Sequence, residues 1–414
     1  MSLALVNAPL LSAFARQGSF PWMATPKRQV GRYEKSTAAG EAISAFIPDP
    51  LPPQPPLARP PAMQEKVRLA EQKLSRLELA GEMVPSLEWF IYAFVRKEAV
   101  VSSQIEGTQA SLIDLLSYEA GAPVAEEASD VEEVSNYLAA LAYARQQVRS
   151  DKGLPLSARL LNEAHRRLMK GVRGASKQPG ELRRSQNWIG GTRPSNAIFV
   201  PPPPQELGRL VSDLEKYIHR DDDLPALVRA ALVHVQFETI HPYLDGNGRI
   251  GRLLITLLLE HWKLLSEPLL YLSLFFKRHR AEYYRLLNAV RLEGDWESWV
   301  SFFLEGVSTI ADEAADTARD LFLLVNKDRA RVLSAPNASV MAARLLDQLP
   351  RHPIVTIPAV VKLLEATKPT AAKAVGVLEQ LGILRETTGR RRDRTFSYAV
   401  YLDRLRAGTE PQKV

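Results

Sequence analysis

His241-Pro242-Tyr243-Leu244-Asp245-Gly246-Asn247-Gly248-Arg249-Ile250-Gly251-Arg252 decides the reading of this chain. It lies between two apolar stretches of helical period, Ala226 to Thr239 and Leu253 to Leu264, and predicts a loop running into a helix N-terminus. Gly246 and Gly248 permit positive φ and leave backbone amides uncovered. Unpaired amides at the positive end of a helix dipole form an anion cradle. Arg249 and Arg252, three apart, share one helix face from which guanidinium groups can fork onto phosphate oxygens. Asp245 offers a hard oxygen of the kind Mg²⁺ takes alongside phosphates. His241 titrates near neutral pH and can accept a proton from an attacking hydroxyl. Each residue alone has an ordinary explanation as a turn, a surface charge or a structural histidine. Together, in one short segment, they are the parts that phosphoryl chemistry needs.

Outward from this segment the pattern is helical. Val67, Leu69, Ala70, Leu74, Leu77 and Leu79 recur near a 3.6 period, as do Phe90, Phe94, Val95, Ala99 and Val101, then Val131, Val134, Leu138, Leu141 and Ala142. Leu160 to Met169, Gln205 to Tyr217 and Ala281 to Val290 continue it, and a long helix is expected from Trp296 to about Val325. Residues 1 to 45 show no strong period. Between Pro48 and Pro61 there are eight prolines in fourteen residues, which reads as an extended, stiff connector. Gly171 to Pro204 is rich in Gly, Pro, Ser and Asn, with one short apolar strand, Ala197-Ile198-Phe199-Val200, ahead of four prolines. After residue 338 the order is three short helices (Ser339–Leu349, Pro358–Leu364, Pro369–Leu381) and two strands (Ile383–Thr387, Thr395–Val400) around a turn at Gly389. That is the order of a winged helix-turn-helix. The expected divisions are 1–62, an N-terminal segment with its proline-rich connector; 63–150, a helical region; 151–325, the core around the central segment; and 326–414, the winged module.

Composition narrows the classes. The chain has 414 residues, 46% hydrophobic and 24% charged, a formal charge of +6 and no cysteine. Disulfides, thiolate metal sites and a cysteine nucleophile are excluded. The apolar runs Leu253–Leu259 and Leu269–Phe276 end at Glu260 and Lys277, too short for the ~30 Å of a bilayer core. No membrane partner is expected, and the N-terminus lacks the basic start of a secretory signal, so a cytoplasmic location is the expectation. His219-Arg220-Asp221 superficially suggests a kinase catalytic loop, but Ala226 stands where asparagine is needed and no DFG follows. A P-loop is absent.

The central segment resembles the signature of the Fic family, HPF-x-[DE]-GNGR-x-x-R, and meets eight of its nine specified positions. Tyr243 stands where phenylalanine is usual, which keeps an aromatic anchor. The resemblance extends from about Phe46 to Val300. It implies a mainly α protein: a helical bundle with a small β-hairpin flap, followed here by the winged module. It also implies an enzyme that binds Mg²⁺ and ATP and moves AMP to a Ser, Thr or Tyr hydroxyl of a target protein. In that analogy His241 is the base and Asp245 holds Mg²⁺. Gly246, Asn247 and Gly248 cradle the phosphates, and Arg249 and Arg252 steady their outer end. Ala197, Ile198, Phe199 and Val200 align the target peptide, and Tyr283 lies against adenine.

Upstream, Ser102-Ser103-Gln104-Ile105-Glu106-Gly107 resembles the family's inhibitory motif [ST]-x-x-x-E-[GN], with Ser102, Glu106 and Gly107 in its fixed places. A Glu106 fork onto Arg252 would occupy the space of the γ-phosphate. The reverse reaction, removal of AMP, and a DNA-binding regulator that only senses nucleotide are the alternatives. An intact His241 argues against the sensor, which needs no base. Lys368, Thr370 and Lys373 near the second helix of the winged unit, with Arg385, Arg390, Arg391, Arg392 and Arg394 around its turn, make DNA a candidate partner. A homodimer is left open.

Overall fold

The structure, a computed structural model, describes residues 28–82, 86–122, 128–172, 174–390 and 392–411. The N-terminal apolar stretch and Arg391 lie outside these residues.

The described chain begins with an antiparallel hairpin, β1 (Gly31–Ala38) and β2 (Glu41–Pro48). Helices follow: α1 (Pro61–Glu82), α2 (Leu87–Ile105), α3 (Leu112–Glu119), α4 (Ala128–Arg149), α5 (Ala158–Leu168), α6 (Pro204–His219), α7 (Ala226–Ile240), α8 (Asn247–His261), α9 (Ser273–Arg278), α10 (Arg280–Glu293) and α11 (Trp296–Leu333). The C-terminal unit is α12 (Val340–Gln348), β3 (Ile354–Thr356), α13 (Ile357–Leu364), α14 (Lys368–Gln380), β4 (Arg385–Glu386), β5 (Thr395–Ser397) and α15 (Ala399–Leu405). The fold is mainly α, as the periodicity predicts.

Composition dictates the centre. Every residue of α7 from Leu227 to Ile240 is buried, as is α8 from Arg249 to Leu259. Helices buried on all sides must be surrounded by others. Around this pair α1 lies along α11, presenting Met63, Val67, Ala70, Leu74 and Leu77 at alternating spacings of four and three. Trp299 of α11 donates its indole N–H to the Ala231 carbonyl at 2.8 Å, tying α11 to α7. The proline-rich connector is pinned to α11 by Glu297, which accepts from Arg28 at 2.6 and 2.7 Å and from the Ala58 amide at 2.8 Å.

α3 starts at a reciprocal cap. Ser111 Oγ accepts from the Asp114 amide at 3.2 Å, and the Asp114 carboxylate accepts from the Ser111 amide at 2.9 Å. Ser111→Ala should therefore cost ~1 kcal/mol of stability, read as a lowered denaturant midpoint. An unchanged midpoint would mean that the cap contributes nothing.

Three expectations change. The N-terminal stretch that shows no helical period contains the β1–β2 hairpin. The strand predicted over Ala197–Val200 is reduced to a single bridge between Phe199 and Ile189, preceded by a 3-10 turn at Pro194–Asn196. Four prolines follow without amide protons, so no ladder can continue there. The second strand of the C-terminal unit stops at Ser397, and Ala399 begins α15, whose Tyr401, Leu402 and Leu405 are buried. The C-terminal sheet also contains β3, giving the order β3-β5-β4. It is fixed to the long helix by the Tyr398 hydroxyl, which donates to Asp328 of α11 at 2.7 Å. Among the described residues no helix is long and apolar enough to cross a membrane.

Candidate active site

The turn between α7 and α8 needs two left-handed residues. His241 caps α7 at φ 49° and Gly246 precedes α8 at φ 77°. Glycine takes this conformation freely, whereas a histidine must be held there. The hold is visible. The Arg183 guanidinium donates to the His241 carbonyl at 3.0 Å and the Arg183 amide to the Pro242 carbonyl at 2.9 Å. Asn247 accepts from the Tyr243 amide at 2.9 Å and donates to the Tyr243 carbonyl at 2.8 Å. Both ends of the Asn247 amide are thus spent on closing the loop, not turned toward a ligand.

His165 of α5, which the sequence did not single out, supports the loop from below. Its Nδ1 accepts from the Gly180 amide at 2.8 Å, so the proton sits on Nε2 and is donated to the Asp245 carbonyl at 3.0 Å. Burial pushes this imidazole down to about 4, which keeps it in that neutral form. The ring stacks on Tyr243 at 3.9 Å. The Tyr243 hydroxyl, extra relative to phenylalanine, donates to Asn162 at 2.8 Å and so is not left buried without a partner.

His241 itself is different. Its Nδ1 is buried and makes no hydrogen bond among the described residues. Burial, with Arg183 and Arg291 nearby, pushes the imidazole down to about 3, so it is neutral and able to accept a proton.

The two arginines diverge. Arg249 is 2% exposed and pairs with Glu133 at 3.1 Å, with Asp245 at 3.5 Å beside it. It braces the loop against α4. Arg252, also 2% exposed, donates through Nε to Ser102 Oγ and through Nη2 to the Ser102 carbonyl, both at 2.9 Å. The same Nη2 reaches Glu106 at 2.7 Å. Desolvation opposes the Glu106 carboxylate, but Arg252, with Arg249 behind it, outweighs that and holds its pKa below the usual value. Glu106 ends α2 and rests on the first turn of α8. A Cβ at Gly248 would stand 2.1 Å from Glu106 Oε1, so only glycine admits this approach. Gly107, with φ 102°, follows at the exposed end of the motif. Asp245 keeps its side chain 40% exposed, with one oxygen accepting from the Gly246 amide at 2.6 Å.

Tyr283 is in the core. It is 1% exposed, its ring stacks on Phe276 at 4.6 Å, and its hydroxyl donates to His234 at 2.8 Å. His234 in turn donates to the Gly251 carbonyl at 3.1 Å, so Tyr283 supports α8 from behind. The next residue, about 100° further round α10, is the more open of the two. Tyr284 is 40% exposed, and burial and the Glu106 charge push its hydroxyl up to about 12. In the flap segment Ile198 is 70% exposed, while Phe199 is buried between Phe46 and the Arg291 guanidinium, 4.1 Å above its ring. The Val200 carbonyl accepts from the Phe46 amide at 2.9 Å, so β2 braces the flap.

Residues 64–146 match the Fic/DOC family N-terminal model and residues 155–259 the Fic/DOC family model. The chain is 30% identical over 201 residues to protein adenylyltransferase Fic of Drosophila grimshawi, covering 48% of this chain and 37% of that protein. It is 33% identical over 168 residues to the protein of that name from Drosophila erecta, covering 40% and 29%. The chain thus spans about a third of the length of the curated relatives it matches. A solved Fic family protein from Desulfovibrio desulfuricans G20 shares its fold, with a TM-score of 0.54 at 22% identity, covering 83% of this chain and 98% of that one. The loop and its histidine lie in the second matched segment and the α2–α8 contact joins the two, so this chain carries a Fic domain.

Proposed function

We propose that the protein transfers AMP from ATP to a Ser, Thr or Tyr hydroxyl of a target protein and of itself, and that Glu106 restrains the reaction. One observation carries this reading: the protein places its own carboxylate on Arg252 and against Gly248 at the start of α8. An internal anion occupies a place whose amides, dipole and guanidinium suit a phosphate. The adenylyltransferase name of the curated relatives points the same way.

The hydroxyl oxygen forms a bond to the α-phosphorus as the bond to pyrophosphate breaks. Pyrophosphate leaves with the electron pair, and the hydroxyl proton passes to His241. Gly248 leaves the start of α8 open to the phosphates once Glu106 withdraws, and the released Arg252 meets the terminal phosphate. The part-exposed Tyr284 and the exposed Ile198 are the candidate side chains for adenine and for the target peptide. Mg²⁺ fits this donor set in its usual phosphate-assisted mode. No group of three acidic or histidine side chains suited to a metal occurs among the described residues, but the part-exposed Asp245 can serve as a single carboxylate ligand. When bound, the ion would neutralise phosphate charge. Label position tests the proposal. Label from the α-phosphate of ATP should remain on denatured protein and label from the γ-phosphate should not; retention of γ-label would replace AMP transfer with phosphorylation.

In the C-terminal unit we read α13, α14 and the β4–β5 turn as a winged helix. Lys368, Lys373, Arg385, Arg390, Arg392 and Arg394 are all exposed on it, which favours a polyanion such as duplex DNA as its partner.

A further inference from the structure

The inhibitory segment of α2 is held by more than Arg252. Gln104, two residues before Glu106, donates its amide to the carbonyls of Ala110 and Thr409, both at 2.9 Å. Its oxygen accepts from Lys277 Nζ at 2.6 Å. The same ammonium donates to the carbonyls of Gly408 at 3.4 Å and Glu410 at 2.6 Å. Three successive carbonyls of the segment that follows α15 are therefore taken by two side chains, one of them inside the motif Ser102–Gly107. The segment is seated, not draped. Thr409 is 1% exposed, and its hydroxyl donates to the Arg406 carbonyl at 2.8 Å. At Gly408, φ is +81° and a Cβ would lie 2.9 Å from Leu274 of α9, so the backbone runs close against that helix.

The place it grips is the one where α2 is weakest. The last turn is tight: the Glu106 amide donates to the Ser103 carbonyl at 3.0 Å and the Gly107 amide to that of Gln104 at 3.1 Å. Gly107 beyond it has positive φ and is exposed. Helix ends of this kind open most readily, and side-chain anchors decide how often. We infer that residues 408–410 act as a ligand supplied by the chain itself, docking in the groove between α2 and α9 and holding the end of α2 so that Glu106 stays on Arg252. The C-terminal unit is thereby coupled to the active site. Anything that draws this segment out of its groove loosens Gln104 and, through it, Glu106. This inference rests on the proposed inhibitory role of Glu106.

The test uses the full chain with Gly408→Val, which the positive φ and Leu274 both oppose, and Lys277→Met, which removes the shared donor. Each should raise self-modification by ~3- to 10-fold, about what losing one or two hydrogen bonds from an anchor permits. Neither should add anything in a Glu106→Gly background. Hydrogen exchange at the Glu106–Thr108 amides should quicken in both variants while α7 and α8 stay protected. If Glu106→Gly activates but both tail variants leave transfer and exchange unchanged, the docked tail has no regulatory role and the inhibitory reading survives. Equal gains in the presence and absence of Glu106 would also overturn the inference, since the effect would not pass through that residue. If Glu106→Gly itself fails to activate, the inhibitory reading falls and takes this one with it.

Discussion

His241→Ala is expected to lower AMP transfer by ~10²–10⁴-fold while ATP affinity changes little. The imidazole Nδ1 makes no hydrogen bond among the described residues, and the left-handed backbone at position 241 is held through its carbonyl and its neighbours. Removing the side chain therefore takes away the proton acceptor and little else, so a folded protein should result. The pH dependence sharpens the test. The neutral form is the active one, and a pKa pushed down to about 3 keeps it present as pH falls well past the usual histidine range. The acid limb of kcat/KM, which reports the free enzyme, should thus lie far below pH ~6.5. A limb near that value would mean that the imidazole is not buried as described. Turnover like that of the parent chain in His241→Ala would remove it from the chemistry.

Glu106→Gly is expected to act in the opposite direction, raising transfer and self-modification by roughly 10- to 100-fold. The carboxylate is 32% exposed, so part of its attraction to Arg252 is screened and the lower end of that range is the better expectation. Adding Arg252→Ala should cancel the gain, because that guanidinium is proposed to receive the terminal phosphate. A neutral or inactive Glu106→Gly would reduce the contact to a structural ion pair. Loss of an AMP-removing activity in the same variant would make the reverse reaction the native one.

The helical core was legible because the apolar runs of α7 and α8 and the four-three stripe of α1 are direct consequences of burial. The pairing of Glu106 with Arg252 could be expected from two short segments, since charge and spacing suffice to propose it. Other features were not legible, for particular reasons. Asn247 and Arg249 have side chains suited to phosphate, and only the fold reveals that Tyr243 and Glu133 engage them first. Tyr283 and Tyr284 are adjacent and chemically alike, so which one is buried depends on how α10 is rotated. His165 sits on a helix whose apolar stripe marks burial and not contact with the loop, Arg183 lies in an irregular stretch, and both act through backbone carbonyls. The β1–β2 hairpin escaped because its exposed first strand carries no apolar alternation to mark it.

The site's contacts are long in sequence. Ser102 meets Arg252 across 150 residues, Glu133 meets Arg249 across 116, and Asn162 meets Tyr243 across 81. Closing such loops belongs to the slow, non-local part of folding, so the catalytic loop takes shape only when most of the bundle has assembled. Synthesis also has a direction. A ribosome delivers α2 well before α8, so Glu106 is already waiting when Arg252 emerges. A newly made chain therefore has no interval in which the arginine is formed and the carboxylate is still to come.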